Sequence, residues 1–263
     1  MPLLLAAVAL LGLAVGSFLN VVIYRIPRGE SLVRPGSHCP ACGEAVRARH
    51  NVPVLGWLLL RGRCVDCRAP ISVRYPLVET VTALLFVAVT ARLSALGLLQ
   101  AAPAYLFFVA VGIALTAIDL DVRRLPNAIV YPSYLVLAVL LTLASVFEGG
   151  VEPLLRAGIG AAGLFAFYLA LAVIHPGGMG FGDVKLAGVI GGALGFLSYP
   201  ALVIGAFAAF VIGGLGAIAL VAMRHASGKT AIPFGPAMVA GALIAILASG
   251  PLSDTYLHLF QQA

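Results

Sequence analysis

The chain has 263 residues, of which 62% are hydrophobic and only 10% are charged, and its mean hydropathy is +1.08. A soluble domain of this length does not need so much apolar surface, so the composition excludes an ordinary globular protein and predicts one that crosses a membrane several times. The net charge of +6 is concentrated in residues 25–74, which hold nine arginines and three acidic residues. Such a basic face is typical of a cytoplasmic surface near anionic lipid, and without interleaved aromatic residues it does not predict a nucleic-acid partner.

The first predicted element is the long apolar run 3–24, which is followed by Arg25 and Arg28. A cleaved secretory signal carries its basic residues before the apolar run, so this order predicts a spanning helix whose N-terminus lies outside the cytoplasm. Ser17 and Asn20 are polar positions inside the run. We expect them to make contacts between helices, as polar side chains in spanning segments commonly do.

Residues 25–75 form the one long polar segment, and they contain all four cysteines, in two Cys-x2-Cys pairs that are separated by 21 residues. Two such pairs can supply four thiolates in a tetrahedron, which is the geometry of a closed structural zinc site. Disulfides or a redox pair are the alternative, but a cytoplasmic segment keeps its thiols reduced. Because the segment has too few apolar residues for its own core, zinc would contribute directly to its folding. The expected ligands are Cys39, Cys42, Cys64 and Cys67.

Seven more apolar segments follow, and with the first they predict an all-α membrane protein of about eight spanning helices with one cytoplasmic zinc-binding insertion. The seven are residues 76–92, 102–120, 127–147, 153–174, 183–198, 200–223 and 233–250. With the N-terminus outside, 14 of the 16 basic residues fall on the inner side and only Arg92 and Arg156 on the outer, as the positive-inside rule predicts. The same topology places Asp119, Asp121 and Asp183 at the cytoplasmic ends of their helices.

Asp183 lies in the glycine-rich stretch 178–185, at the start of the shortest apolar segment. A carboxylate at membrane depth is costly and commonly functional. Two carboxyl groups within hydrogen-bonding reach share a proton, so that one can activate water while the other protonates the substrate, as in an aspartic protease. We expect Asp183 to pair with Asp119. Gly180 and Gly182 would let an extended peptide approach the backbone closely.

Composition leaves a second interpretation of these aspartates open. Each could cap a helix or pair with Arg123, Arg124 or Lys185. Spacing alone leans only slightly toward Asp119 over Asp121, which is closer to the two arginines. A proton-coupled transporter would use the same buried aspartates, although transporters often contain internal repeats and this chain shows no convincing one.

The glycines of two later segments predict close helix packing, at Gly188-x-x-x-Gly192 and Gly191-x-x-x-Gly195. A Gly-x-Gly-x-x-Gly sequence at 158–163 has the form of a dinucleotide-binding fingerprint. It lies inside an apolar segment and follows no strand, so we interpret it as helix packing too.

Short motifs run from the first apolar segment to the last. They are Gly-Ser-Phe-Leu-Asn-Val at 16–21, Tyr-Arg-Ile-Pro at 24–27, His-Cys-Pro at 38–40 with Cys42, Asn-Val-Pro-Val-Leu-Gly-Trp at 51–57, Leu-Arg-Gly-Arg-Cys at 60–64 with Cys67, Arg-Tyr-Pro-Leu-Val-Glu at 74–79, Asp-Leu-Asp at 119–121 with Leu-Pro-Asn at 125–127, Gly-Phe-Gly-Asp-Val-Lys at 180–185 and Ile-Pro-Phe-Gly-Pro at 232–236. In these motifs the chain resembles the bacterial type IV prepilin peptidases, which are GxGD-type membrane aspartic proteases and also N-methyltransferases.

The resemblance implies an activity and its residues. The family's first catalytic aspartate stands seven positions before the proline of its Leu-Pro-Asn motif, which here gives Asp119, and its second is Asp183. The implied reaction, in the bacterial cytoplasmic membrane, removes the short basic leader of type IV prepilins or pseudopilins after a glycine at the inner face. Methylation of the new N-terminal residue, with S-adenosylmethionine as donor, is implied as a second activity, and the four-cysteine segment favours this bifunctional class.

The resemblance also implies three parts: a first transmembrane helix (1–24), the zinc-bearing and methyltransferase-associated segment (25–75) and the peptidase core (76–263). Gly180, Gly182 and Lys185 are expected in a loop that meets the substrate backbone. Glu79 is a candidate for methyl transfer, because it is acidic, at the membrane edge and next to the zinc-bearing segment. Pairing with Arg74 is its alternative role.

Overall fold

The computed structural model describes residues 1–148, 150–175, 179–222 and 233–261. Regular secondary structure in these ranges is helical, apart from two isolated β-bridges in the polar segment. This confirms the predicted all-α class. Gly178 and Ile232, together with the predicted inner loop 224–232, lie outside the described residues.

Nine α-helices occur in the described ranges. They are α1 (Pro2–Arg25), α2 (Leu55–Leu59), α3 (Arg74–Ala95), α4 (Ala102–Val122), α5 (Asn127–Glu148), α6 (Glu152–Ile174), α7 (Phe181–Leu197), α8 (Tyr199–Ala222) and α9 (Gly235–Gln261). All except the short α2 coincide with the eight apolar segments predicted from the sequence. Short 3-10 helices add single turns at Ile26–Arg28, Ala48–His50 and Leu99–Ala101.

Six helical segments of the described chain are long and apolar enough to cross a membrane, which confirms a multi-pass membrane protein. They are Pro2–Arg28, Arg74–Ala95, Leu99–Val122, Asn127–Phe147, Glu152–Ile174 and Tyr199–Ala219. The α7 helix has 17 residues, which is about 25 Å, somewhat less than the ~30 Å hydrocarbon core. The described apolar part of α9 is also short, at Gly235–Ala248. A count of eight spans therefore stays a prediction.

The chain divides into two compact units, Met1–Ala91 and Arg92–Ala263. In the first unit α1 crosses α3 at glycines: a Cβ atom on Gly12 would lie 2.6 Å from the Cα of Ala83, and one on Gly16 would lie 2.6 Å from the Cα of Glu79. The side-chain amide of Asn20 donates to the carbonyl oxygen of Tyr75 at 3.2 Å. This contact confirms the helix–helix role predicted for Asn20.

The second unit is built around α7, which packs against α5, α6, α8 and α9. Its side chains are buried from Leu186 to Phe196. A Cβ atom on Gly191 would lie 2.2 Å from the carbonyl oxygen of Gly160 on α6, and one on Gly195 would lie 2.5 Å from that of Arg156. These contacts confirm the predicted packing role of Gly191 and Gly195, because only hydrogen fits between the two backbones there. A Cβ atom on Gly192 would lie 3.7 Å from that of Ala161, which is an ordinary contact, so close backbone approach is not seen at this glycine.

The Gly-x-Gly-x-x-Gly sequence on α6 offers two glycines whose substitution tests the contact between α6 and α7. A Cβ atom on Gly160 would lie 2.4 Å from the carbonyl oxygen of Gly191, whereas no atom lies within 4 Å of one on Gly158. Because the backbone of α7 cannot move aside easily, Gly160→Val should destabilise the protein by about 3 kcal/mol, or roughly 6–12 °C in the midpoint of thermal unfolding. Gly158→Val is the control and should unfold within a few degrees of the unsubstituted protein. Equal midpoints for the two variants would contradict this account of the α6–α7 contact.

Candidate active site and metal centre

Asp119 occupies the last turn of α4, and its side chain is only 4% exposed. Carboxylate oxygen Oδ2 accepts a hydrogen bond from the backbone N–H of Gly235, at 3.2 Å. The helix continues only to Val122, and Arg123 then takes a left-handed conformation (φ 53°). A negative charge at the C-terminal end of a helix is unfavourable. The capping interpretation therefore does not explain Asp119, whose carboxyl group is instead bonded to a residue 116 positions away.

Asp183 lies in the first turn of α7 and is 9% exposed. Its Oδ2 accepts the backbone N–H of Gly180 at 3.2 Å, while its own N–H donates to the carbonyl oxygen of Gly180 at 3.0 Å. Asp183 is the third residue of α7 and makes the side-chain half of a capping box, whereas the other bond is between backbone atoms because glycine has no side chain. A capping role therefore does apply to this carboxylate. Capping uses one oxygen and fixes the direction of the carboxyl group without excluding a chemical role.

The two carboxyl groups are similarly held, because each accepts one glycine N–H on Oδ2. They are close enough for the charge of Asp119 to act on Asp183. The side chain of Leu125 lies beside both glycine segments: it would be 3.1 Å from a Cβ atom on Gly182 and 3.4 Å from one on Gly235. The structure therefore brings the two aspartate-bearing segments together around Leu125. Their pairing within hydrogen-bonding reach stays a prediction.

The Lys185 side chain is held by α5. Its Nζ donates to Oδ1 of Asn127 at 2.7 Å and lies 5.0 Å from the ring centroids of Tyr131 and Phe181, within the range of a cation–π interaction. The Tyr134 hydroxyl donates to the carbonyl oxygen of Lys185 at 2.5 Å. These contacts tie the start of α7 to α5. The expected contact of Lys185 with a substrate stays a prediction.

An aromatic cluster beside Gly235 was not predicted from the sequence. The rings of Tyr168 and Phe210 are stacked with centroids 5.6 Å apart, and Phe234 lies 6.1 Å from the first and 5.5 Å from the second. Tyr168 is also close enough to Asp183 to interact with its charge. The only signal in the sequence was the position of Phe234 inside the motif at 232–236, because aromatic residues in apolar helices are otherwise unremarkable.

The four cysteines converge, as predicted. Their sulfur atoms all lie within 4.8 Å of one another, and those of Cys39 and Cys67 are 3.8 Å apart. A tetrahedral zinc ion with Zn–S bonds of about 2.3 Å has sulfur–sulfur edges of about 3.8 Å, so the four thiols fit such an ion. All four cysteines are free thiols, and the disulfide alternative is not supported.

Two turns with the same backbone geometry present these thiols. The N–H of Cys39 donates to the carbonyl oxygen of Glu44, and the N–H of Cys64 donates to that of Ala69, both at 2.9 Å. The residue after the second cysteine of each pair has a positive φ, 76° at Gly43 and 62° at Arg68. The repetition of one turn indicates a two-knuckle metal site, in which the second knuckle uses arginine where glycine would be unstrained.

Electrostatics also favours a cation among the four thiols. The backbone N–H groups of Cys42 and Ala41 lower the pKa of the Cys39 thiol to about 7. The N–H of Glu44 lowers the pKa of Cys42, but burial and the neighbouring thiols outweigh it and raise that pKa to about 12. The second thiol therefore resists ionisation beside the first. A divalent metal would remove the conflict, because cysteines bind metals as thiolates.

Glu79 is buried, with 7% of its surface exposed, and its Oε2 accepts the N–H of Val54 at 2.7 Å. Val54 has φ 60°, an unusual conformation for a β-branched residue. The carboxylate of Glu79 on α3 thus stabilises a strained turn at the start of α2, within the polar segment. This contact gives Glu79 a structural role that the sequence did not predict, and its part in methyl transfer stays a prediction.

A cavity of about 640 Å³ in the polar segment is lined by Leu59, Leu60, Arg61, Arg63 and Arg68, among others. Its volume is in the range of small-molecule sites. S-adenosylmethionine carries a sulfonium and an ammonium cation beside one carboxylate. Arginine can pair with the carboxylate, but the residues that line the cavity include no acidic group to compensate the two cations. The lining therefore fits only the carboxylate of the methyl donor.

Two family models match the chain, and the boundary between their matches lies close to the boundary between the two compact units. A family model described as the bacterial peptidase A24 N-terminal domain matches residues 10–93, and one described as the type IV leader peptidase family matches residues 106–249. Proteins named prepilin leader peptidase/N-methyltransferase are similar to the chain over most of its length. The one from Neisseria gonorrhoeae is 36% identical (94% of this chain, 92% of the relative), and the one from Pseudomonas aeruginosa is 33% identical (95% and 92%). One from Myxococcus xanthus is 39% identical (87% and 67%). No solved structure matches the chain.

Proposed function

The chain belongs to the type IV leader peptidase family, and from this premise we propose that it is a membrane aspartic endopeptidase that removes the basic leader of type IV prepilins or pseudopilins. Cleavage follows a glycine at the cytoplasmic face of the inner membrane. The observation that carries the proposal is the pair of buried aspartates, each hydrogen-bonded to a glycine N–H, on α4 and α7 of the second unit. These two helices are joined by the Tyr105 hydroxyl, which donates to the carbonyl oxygen of Ala193 at 2.7 Å.

Asp119 and Asp183 are the two groups that perform the hydrolysis. One carboxylate takes a proton from water, and the resulting hydroxide oxygen attacks the scissile carbonyl carbon. The other carboxyl group, protonated, donates to the carbonyl oxygen. The tetrahedral intermediate collapses when the amide nitrogen takes the proton that the first carboxylate had accepted from water, the C–N bond breaks, and the second carboxylate recovers its proton as the carbonyl forms again. Burial supports this division of roles, because two neighbouring carboxyl groups away from water do not ionise together.

Gly180, Gly182 and Lys185 form the substrate-facing start of α7 in this proposal. The absence of side chains at the two glycines allows an extended peptide to lie close to Asp183. The apolar helix of the substrate stays in the bilayer, and its leader approaches from the cytoplasm. The N-terminus of the enzyme is outside, which keeps the basic segment 25–75 and both aspartates on the inner side.

N-methylation of the newly exposed residue is the second proposed activity. It is supported by the names of the relatives and by the four-cysteine segment. S-adenosylmethionine, when bound, supplies an electrophilic methyl group to the free amine of the cleaved pilin. Zinc held by Cys39, Cys42, Cys64 and Cys67 has a structural part, because four cysteine ligands leave no open position for substrate.

Mass spectrometry of the product tests both activities. Purified protein in detergent, incubated with a prepilin, should release the leader and leave a pilin that begins at the residue after the glycine. Addition of S-adenosylmethionine should increase the mass of the pilin by one methyl group. An intact prepilin after long incubation would contradict the peptidase, and cleavage with an unchanged product mass would contradict only the methyltransferase.

A further inference from the structure

Gly235 stands at the first position of α9, far in sequence from either aspartate, and the sequence marks it only through the motif at 232–236. Its N–H donates to Oδ2 of Asp119 at 3.2 Å. The buried carboxyl of Asp119 has no helix N-terminus of its own to compensate it, since it lies at the C-terminal end of α4. A neutral amide donor aimed at one oxygen holds the carboxyl group in one orientation and leaves Oδ1 for the second aspartate or for water.

The absence of a side chain at this position is as important as the N–H. A Cβ atom on Gly235 would lie 2.8 Å from Oδ2 and 3.5 Å from Cγ of Asp119, and 3.4 Å from Leu125. Contacts shorter than 3.0 Å require a shift, and the atom that would have to shift is the reacting oxygen itself. The positive φ that often explains glycine is not the reason here, because Gly235 lies in a helix.

The segment that carries Gly235 is fixed from the other side. The ring of Phe234 packs against both Tyr168 and Phe210, and it would be 2.5 Å from a Cβ atom on Gly213 of α8. The backbone at Gly235 is therefore held by tightly packed rings and cannot retreat from an added side chain.

We propose that Gly235 is a positioning residue of the peptidase, which orients the Asp119 carboxyl through its backbone N–H and keeps the space beside Oδ2 free. The proposal rests on the proposed function, because it gives Asp119 a reaction to perform. It adds the start of α9 to a site that the sequence located on the two aspartate-bearing segments alone.

Gly235→Ala tests the proposal in the full-length protein. Since misplacement of a reacting group by about 1 Å can cost 10²-fold in rate, we expect kcat for leader cleavage to fall about 10- to 100-fold while KM for the prepilin stays within twofold. Gly112→Ala is the matched structural control. It adds a Cβ atom 2.9 Å from Val239 and so strains the same pair of helices, α4 and α9, away from Asp119. It should lower thermal stability and leave kcat within twofold. A Gly235→Ala enzyme with normal kcat, or equal losses in the two variants, would overturn the proposal.

A second measurement needs neither cleavage nor the folding of Gly235→Ala. The sequence contains only two Phe-Gly pairs, at 181–182 and 234–235, so labelling phenylalanine carbonyl carbon and glycine nitrogen isolates two amide signals in the NMR spectrum. Asp119→Ala should move the Gly235 amide proton upfield by removal of its acceptor, and leave the Gly182 signal in place. An unmoved Gly235 signal would refute the contact. If the unsubstituted protein cleaves no prepilin, the proposed function fails while this measurement still decides whether Gly235 holds Asp119.

Discussion

Asp119→Asn and Asp183→Asn should each reduce prepilin cleavage by at least about 10³-fold, because either change removes a group that must take up or deliver a proton. Asparagine has nearly the same shape as aspartate, and its side-chain oxygen can still accept the N–H of Gly235 or Gly180. Both variants should therefore insert and fold normally. Initial rates of leader release, measured with variants purified to the same thermal midpoint, check the expectation.

Asp121→Asn is the matched control for this pair. Asp121 lies two residues from Asp119 but is exposed to solvent, so we expect its loss to change the cleavage rate by less than threefold. The two-aspartate mechanism would be refuted if either Asp119→Asn or Asp183→Asn kept substantial cleavage activity. A large loss in Asp121→Asn with normal activity in Asp119→Asn would move the first catalytic role to Asp121.

Cys39→Ser should remove most of the bound zinc and unfold the polar segment. Structural zinc contributes an apparent 10–16 kcal/mol in small zinc-binding peptides, and residues 25–75 have few apolar side chains to replace it. Zinc per chain, measured by atomic absorption after dialysis, should fall from one to well below one. Limited proteolysis should then cut within the segment, while the helices of the second unit stay protected.

His38→Ala serves as the control, since His38 neighbours Cys39 but its Nδ1 lies 3.0 Å from the carbonyl oxygen of Gly36. Four sulfurs complete the zinc coordination, so this variant should keep one zinc per chain. Unchanged zinc in Cys39→Ser would be evidence against the four-cysteine site. Equal loss in both variants would show that histidine is a ligand.

Local patterns in the sequence predicted much of the fold and part of the site. Eight apolar segments became eight long helices because a backbone in lipid must satisfy its own hydrogen bonds, which leaves the helix as the solution at that composition. Cys39, Cys42, Cys64 and Cys67 were predicted to converge because the Cys-x2-Cys spacing is itself the turn that presents two thiols. The glycines of α7 predicted tight helix packing, because two helix backbones can approach closely only where the residue between them lacks a side chain.

Contacts between distant residues were not predictable in this way. Glu79 was a candidate for chemistry because of its charge and its place at the membrane edge, yet it accepts the N–H of Val54 within a strained turn. Asp183 was predicted to meet a substrate, and it also accepts the N–H of Gly180, the residue that caps its own helix. Gly235 belongs to the motif at 232–236, but a glycine has no side chain from which a contact with Asp119 could be predicted. Each of these roles depends on a backbone N–H, which every residue except proline possesses.

The sequence by itself determined the membrane class, the helices and the convergence of the four cysteines, because these follow from hydropathy and spacing. It predicted Asp119 and Asp183 as the peptidase pair only with the help of the family resemblance, because composition and spacing left other roles for them open. Only the tertiary structure decided which groups hold those aspartates: Gly180 one turn away for Asp183, and Gly235, more than a hundred residues away, for Asp119. The physical reason is that the residue type fixes the chemistry of a side chain, whereas the direction in which a backbone N–H points is fixed only when the helices pack together.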